Sequence, residues 1–164
     1  MELDLIKISN FYEQSKKRGE HSSPFFLNKI YNIYMSNAAN YINKWHEVIL
    51  EGKMELLDNL LSDNATFYSP VVFKPLEGKE ITKMYLSAAG VSFNMDSFKY
   101  TREINDGNHS ILEFETEIDG ISVNGVDMIQ WDDDGKILNF KVMIRPFKAV
   151  EIVRAKMVEA LEQI

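Results

Sequence analysis

One carboxylate stands where the chain should be apolar. The segment "NGVDMIQWDDDGKILNFKVMI", residues 124 to 144, reads as two strands joined by an acidic turn. Asp132, Asp133 and Asp134 fall in the turn, where acids are solvated, but Asp127 stands inside the first strand, between Val126 and Met128. A carboxyl enclosed by apolar groups is driven toward its neutral form, because burial penalises the charge. A neutral carboxyl can donate a hydrogen bond or a proton to a ligand oxygen. Tyr68, Tyr85 and His46 are the candidate partners in that chemistry. Each also has a plainer role: aromatic groups in helices and strands commonly build core, and His46 fits the solvated edge of a helix.

The remaining reactive residue types form no recognisable constellation. The chain has no cysteine, which removes disulfides, thiolate metal sites and thiol catalysis. His21, His46 and His109 are far apart and match no zinc spacing. There is no glycine-rich phosphate loop and no GxSxG elbow. No metal and no cofactor are therefore expected. The net charge of −7, with one basic cluster at residues 16–18, argues against a nucleic-acid partner. No apolar run approaches the roughly 20 residues of a membrane helix. The opening "MELDLIKISN" lacks the basic and apolar regions of a secretion signal. Together with the missing cysteines, this sets the expectation of a cytoplasmic protein with no membrane partner.

The elements that must hold Asp127 can be read from periodicity. Residues 1–15 fit a short helix, and "KKRGEHSS" a linker. Ser23 and Pro24 read as the N-cap and first position of a long helix. That helix carries Leu27, Ile30, Tyr31, Tyr34, Ala38, Tyr41, Ile42, Trp45, Val48 and Ile49, breaks or continues at Ser36, and ends near Gly52. A short helix spans Met54 to Leu61, a strand covers "ATFYSPVVF", and a third helix lies between Gly78 and Gly90. Four strands follow, at about Phe93 to Asn105, His109 to Ile118, Ser122 to Trp131 and Ile137 to Arg145, separated by turns at "NDGN", "DG" and "DDDGK". A helix from Pro146 closes the chain. Helices first and hairpin-linked strands last indicate an α+β domain with an antiparallel sheet.

Side chains alternate along a strand, so each strand offers two rows. Leu112, Phe114, Thr116 and Ile118 form one row and Glu113, Glu115 and Glu117 the other. Leu138, Phe140, Val142 and Ile144 oppose Lys141, Met143 and Arg145. Asp127 shares its row with Val123, Gly125, Ile129 and Trp131, against Asn124, Val126, Met128 and Gln130. Ile129 and Trp131 favour the Asp127 row as the inner one, whereas Val126 and Met128 argue the other way. Three roles for Asp127 stay open: a structural acid bonded to an amide or an arginine, a solvated acid on an outer row, or a cavity acid touching a ligand.

The strings "LLSDNATFYSPV", "EGKEITKMYLSAAG" and "VDMIQWDDDGKILNFKVMI", in this order and spacing, resemble the nuclear transport factor 2-like superfamily, and within it the SnoaL-like and ketosteroid-isomerase-like members. The resemblance covers about residues 37 to 150. It implies a cone-shaped curved antiparallel sheet wrapped around helices, one apolar pocket, and dimerisation through the sheet. Residues 1–36 then form an N-terminal helical extension to a domain at 37–164. The isomerases place a base carboxylate before a proline in the first strand, a position held here by Ser69. They build an oxyanion hole from a helix tyrosine, matched here by Trp45, and a protonated Asp, matched by Asp127. Serine cannot serve as a carboxylate base, and an indole donates but cannot accept, so the isomerase mechanism does not carry over whole. The Asp–Arg–Asp set of epoxide hydrolases is not evident either, since Arg145 falls on the opposite row.

The expected site is thus catalytic Asp127 in a pocket of Trp45, Ser69, Tyr85, Phe114, Ile129, Phe140, Val142 and Ile144, with no metal. Two functions compete: an isomerase, cyclase or hydrolase acting on a small hydrophobic molecule, and a non-catalytic ligand-binding or dimerisation module. A homodimer is expected, with Glu113, Glu115, Lys141, Met143 and Arg145 at the contact. The extension carries Phe25, Phe26, Leu27, Ile30, Tyr31 and Tyr34, too many large apolar groups to stay in water. They are expected to cover the pocket mouth or a partner chain. Each buried side chain of this class contributes about 1.5–3 kcal/mol. A chain beginning at Met35 should therefore melt at a lower temperature or change its mass in solution; an unchanged melting temperature and mass would mark the extension as dispensable.

Overall fold

The computed structural model describes Asn10, residues 13–19 and residues 37–163. Asn10 and residues 13–17 are helical. The expected helix start at Ser23 and Pro24, its continuation through Tyr34 and the apolar cluster from Phe25 onward lie outside the described residues.

Helix α1, Ala38–Leu50, buries Ala38, Ile42, Trp45 and Val48, one per turn, and ends before Gly52, whose φ of 69° suits glycine. A single 3₁₀ turn, Met54–Leu56, leads into the short helix α2, Leu57–Leu60. Leu61, expected at the end of that helix, instead opens strand β1, Leu61–Tyr68. The strand stops earlier than the run "ATFYSPVVF" suggests. Pro70 has no N–H to give a ladder, and Ser69 Oγ accepts from the Val71 amide at 3.2 Å, which turns the chain away. A two-residue strand β2, Leu76–Glu77, precedes helix α3, Lys79–Ser92, which runs through Gly90. Strands β3, Lys99–Asp106, β4, His109–Ile118, β5, Ile121–Trp131, and β6, Ile137–Arg145, follow, then helix α4, Phe147–Leu161. β3 begins later than expected because residues 93–98 form a loop, with Phe93 and Phe98 packed against Phe114 at 5.7 and 5.3 Å.

The six strands form one curved sheet in the order β2-β1-β6-β5-β4-β3. It is mixed rather than wholly antiparallel: β1 lies parallel to β6, with Phe67 opposite Phe140. The hairpin from β3 to β6 is antiparallel throughout. Helices α1, α3 and α4 and the inner sheet face enclose the core, whose largest buried groups include Trp131, Phe114 and Phe140.

Two bulges set which residues face inward. In β6 the register passes from Gln130 opposite Asn139 to Trp131 opposite Ile137, leaving Leu138 unpaired. Ile137 is buried in place of Leu138, so the simple alternation holds only from Phe140 onward. In β3 the register passes from Arg102 opposite Glu113 to Tyr100 opposite Phe114, leaving Thr101 extra. Were Thr101 paired in regular register, Tyr100 would fall beside Glu115 on the outer row; with Thr101 bulged out of the ladder, Tyr100 joins the inner row.

Gly125 is required by packing. A Cβ there would run into the Phe114 ring and lie 2.8 Å from the Met143 carbonyl oxygen, which is backbone and cannot yield cheaply. Overpacking of this kind costs about 1–3 kcal/mol. Gly125→Ala should lower stability by about that amount in urea denaturation, and adding Phe114→Leu should recover part of it. An unchanged denaturation midpoint would contradict the packing described.

Candidate functional site

Asp127 projects from the middle of β5 into the core. Its register partners are Leu112 on β4 and Val142 on β6, both buried and both apolar. The row of Val123, Gly125, Asp127, Ile129 and Trp131 is the buried one, so a carboxyl stands 6% exposed in an apolar wall. Such a group must be neutralised or hydrogen-bonded.

Its partner is Tyr100, a residue that the sequence alone did not single out. The Tyr100 hydroxyl donates to Asp127 Oδ2 at 2.9 Å. The same hydroxyl accepts from Trp45 Nε1 at 2.8 Å. Tyr100 as a whole is only partly buried, but its hydroxyl lies between two buried groups, Trp45 and Asp127. The three residues come from α1, β3 and β5, and the bulge at Thr101 brings the middle one inward. Around them stand Phe140, 4.8 Å from Trp45, and Phe98, 5.1 Å from Tyr100.

Burial raises the Asp127 carboxyl from its ordinary 3.8 to about 7, against the smaller opposing effect of the Tyr100 hydrogen bond, which favours the charged form. The Tyr100 hydroxyl is pushed well above its ordinary range, first by burial and then by the neighbouring Asp127 charge. Below about pH 7 the site therefore holds mainly a neutral acid beside a neutral phenol.

The other expected site residues separate into groups. Phe114 and Ile129 are core on the inner face, and Val142 flanks Asp127 directly. Ser69, Val142 and Ile144, with Phe67, Phe93 and Met157, line a cavity of about 30 Å³, room for water rather than for a larger ligand. Tyr85 packs on Phe67 at 5.6 Å, which in turn stacks on Phe140. Neither Tyr68 nor His46 bonds Asp127. Tyr68 lies under the Lys141 ammonium at 4.8 Å on the other side of the sheet. His46 Nε2 is 3.0 Å from Glu103 Oε2, but without the alignment of a directed hydrogen bond, so the contact is one of proximity. The His46 ring lies 5.8 Å from the Tyr100 ring. Among the described residues no group of His, Asp and Glu could hold a metal ion, and no helix is long and apolar enough to cross a membrane.

Comparison with known proteins places this arrangement in context. Residues 42–140 match the family model of the SnoaL-like domain. The chain is similar to a steroid delta-isomerase from Pseudomonas aeruginosa, at 33% identity over 78% of this chain and 93% of that one, with a TM-score of 0.73. It is also similar to a bacterial protein with a cystatin-like fold from Silicibacter pomeroyi, at 29% identity over 73% and 83% of the two chains, with a TM-score of 0.67. An NTF2-like protein from Mesorhizobium loti shares the fold at 17% identity, covering 66% and 90% of the two chains, with a TM-score of 0.59. No curated protein sequence matches the chain.

The raised acid has a consequence for stability. Unfolded, Asp127 loses its proton near 3.8; folded, it keeps it until about 7. The folded state thus binds more protons between these values, and stability falls as pH rises through that window. The rise from 3.8 to about 7 corresponds to about 4 kcal/mol at alkaline pH. Asp127→Asn, whose amide oxygen can still accept from Tyr100, should remove this dependence. Melting curves should show the variant gaining on the parent at pH 8 and approaching it at pH 5. An equal difference at both values would mean that Asp127 is not the titrating group.

Proposed function

The chain belongs to the SnoaL-like family, and on that premise we propose that it acts on a small hydrophobic molecule bearing an oxygen, with Asp127 as the pocket acid. The observation that carries this is the buried carboxyl of Asp127, set in an apolar wall and bonded to Tyr100, which Trp45 bonds in turn; burial there favours its neutral form. Burying such a group costs stability, and proteins accept that cost mainly where chemistry or recognition needs it. A hydrogen bond from the neutral acid to a carbonyl oxygen would stabilise negative charge developing there in an isomerase, cyclase or hydrolase reaction. The similar steroid delta-isomerase supports an apolar, polycyclic ketone as the class to try first.

The base is not the family's carboxylate. Ser69 holds that position, and its oxygen is engaged by the Val71 amide. Deprotonation at carbon through a carboxylate at that place is therefore not part of the proposal. The same observation favours the second function, a module that binds without turnover. Exposed Met143, Met128 and Ile111 on the outer sheet face, beside Glu113, Glu115, Lys141 and Arg145, support a homodimer in either case. Residues 1–36 are proposed as an extension to the domain at 37–164.

The test is calorimetric titration with a steroid ketone such as progesterone. Saturable binding is expected, tighter at pH 6 than at pH 9, because the neutral acid donates and the carboxylate repels. Asp127→Leu should weaken binding at pH 6 about tenfold, the loss of one hydrogen bond. Binding that ignores both pH and this substitution, or no binding to any apolar ketone tried, would overturn the assignment.

A further inference from the structure

The hydrogen-bond chain has a fixed polarity, and its far end sets it. An indole N–H donates and has no lone pair to accept with. The Tyr100 oxygen, 2.8 Å from Trp45 Nε1, is thus an acceptor on that side. The single Tyr100 proton is left for Asp127 Oδ2, 2.9 Å away. Oδ2 is therefore held as an acceptor, which favours the proton of the neutral acid on the other oxygen, Oδ1, because a carbonyl oxygen accepts more strongly than an acid hydroxyl.

Oδ1 is also the oxygen that no described residue engages. Among the described residues the one wholly buried side-chain polar atom without a partner is His46 Nε2. Oδ1 has no hydrogen bond to them either, so it retains accessible surface, although Asp127 is only 6% exposed in all. The flanking groups from β4 and β6 are Leu112 and Val142, which offer nothing to compete for the proton. Tyr100 is the titratable group bonded to Asp127; His46 on α1 lies beside the Tyr100 ring, and the charge of Glu103 on β3 acts on the Tyr100 hydroxyl, whereas neither contributes to the shift of Asp127.

We propose that Trp45 and Tyr100 are positioning residues that direct the acid proton of Asp127 onto Oδ1, so that the site selects an acceptor oxygen, a ketone, over a hydroxyl of the same shape. The premise is Asp127 as the pocket acid proposed above. A ketone accepts from the Oδ1 proton. An alcohol in the same place would present its own proton to a donor that cannot receive it, unless it turns its lone pair inward and leaves its proton among apolar groups.

The experiment has one arm without ligand and one with. Infrared spectra of protein labelled with ¹³C-aspartate, recorded at pH 5 and differenced against Asp127→Asn, isolate the carboxyl C=O band of Asp127. In the parent this band should lie at the low frequency of a carbonyl that accepts a phenol hydrogen bond. Tyr100→Phe should move it upward and raise the titration midpoint of Asp127, since a bond favouring the charged form is gone. Trp45→Phe should broaden or split the band, because the Tyr100 hydroxyl is then free to accept from the acid instead. Circular dichroism checks that each variant is folded. In the second arm, a steroid whose one oxygen is a ketone, androstan-3-one, should bind the parent at pH 6 about tenfold tighter than the corresponding 3-hydroxy alcohol, and Tyr100→Phe should shrink that ratio toward one. An unmoved band and midpoint in folded Tyr100→Phe overturns the proposal. Should that variant not fold, a parent band at the frequency of a carbonyl free of hydrogen bonds overturns it alone. If the infrared arm behaves as expected and neither steroid binds, the proton placement stands, while the ketone selectivity falls together with the pocket assignment.

Discussion

A carboxyl taken almost wholly out of water is driven to be neutral or to be bonded, and Asp127, 6% exposed, meets both conditions. Asp127 is enclosed by Leu112 and Val142 on the adjoining strands and bonded through one oxygen to Tyr100, which is bonded in turn to Trp45. The partners lie 55 and 27 residues apart along the chain, so the arrangement exists only once α1, β3 and β5 have come together. Much of the surrounding structure serves that meeting. Gly125, two residues before Asp127, leaves the room that the Phe114 ring occupies against β5. The Thr101 bulge turns Tyr100 inward. Phe140 packs against the Trp45 ring and limits where the indole N–H can aim.

This arrangement works against stability, and its direction is informative. An apolar residue at position 127 would remove a desolvation cost of several kcal/mol at alkaline pH, and the inner face would be a conventional core. The cost is concentrated at one residue. Elsewhere the inner rows follow ordinary rules: Phe114, Ile129, Trp131 and Phe140 are buried, while Lys99 and Glu115 pair at 3.2 Å on the solvated side. Local violation within an otherwise consistent design is what a functional position looks like in physical terms.

Most of the architecture was legible in the sequence because it rests on local signals. The alternation in His109 to Ile118 and the turn glycines at 107, 120 and 135, all at positive φ, fix the β4–β5–β6 meander and put Asp127 on its inner row. Trp45 and Asp127 could be named as a pair from the family resemblance. Tyr100 could not, for a definite reason. Counting back from the Gly107 turn in regular register puts Tyr100 opposite Glu115, facing solvent, and β3 otherwise reads as a polar edge strand. One extra residue reverses its direction, and nothing in "KYTREIND" announces a bulge. Leu138 and Ile137 exchange places for the same cause. The parallel pairing of β1 with β6 was missed because it joins segments about 70 residues apart, where no turn sets the register. Tyr68 and His46 were plausible partners by residue type; geometry gives one to Lys141 and brings the other to Glu103.

Everything said of the site depends on Asp127 being neutral where ordinary aspartates are charged. Its own titration, followed by the ¹³C shift of the side-chain carboxyl in labelled protein, tests this most directly. A midpoint near 7 is the expected result. A midpoint at or below the ordinary 3.8 would show a solvated or ion-paired carboxylate, and would contradict the account of the site.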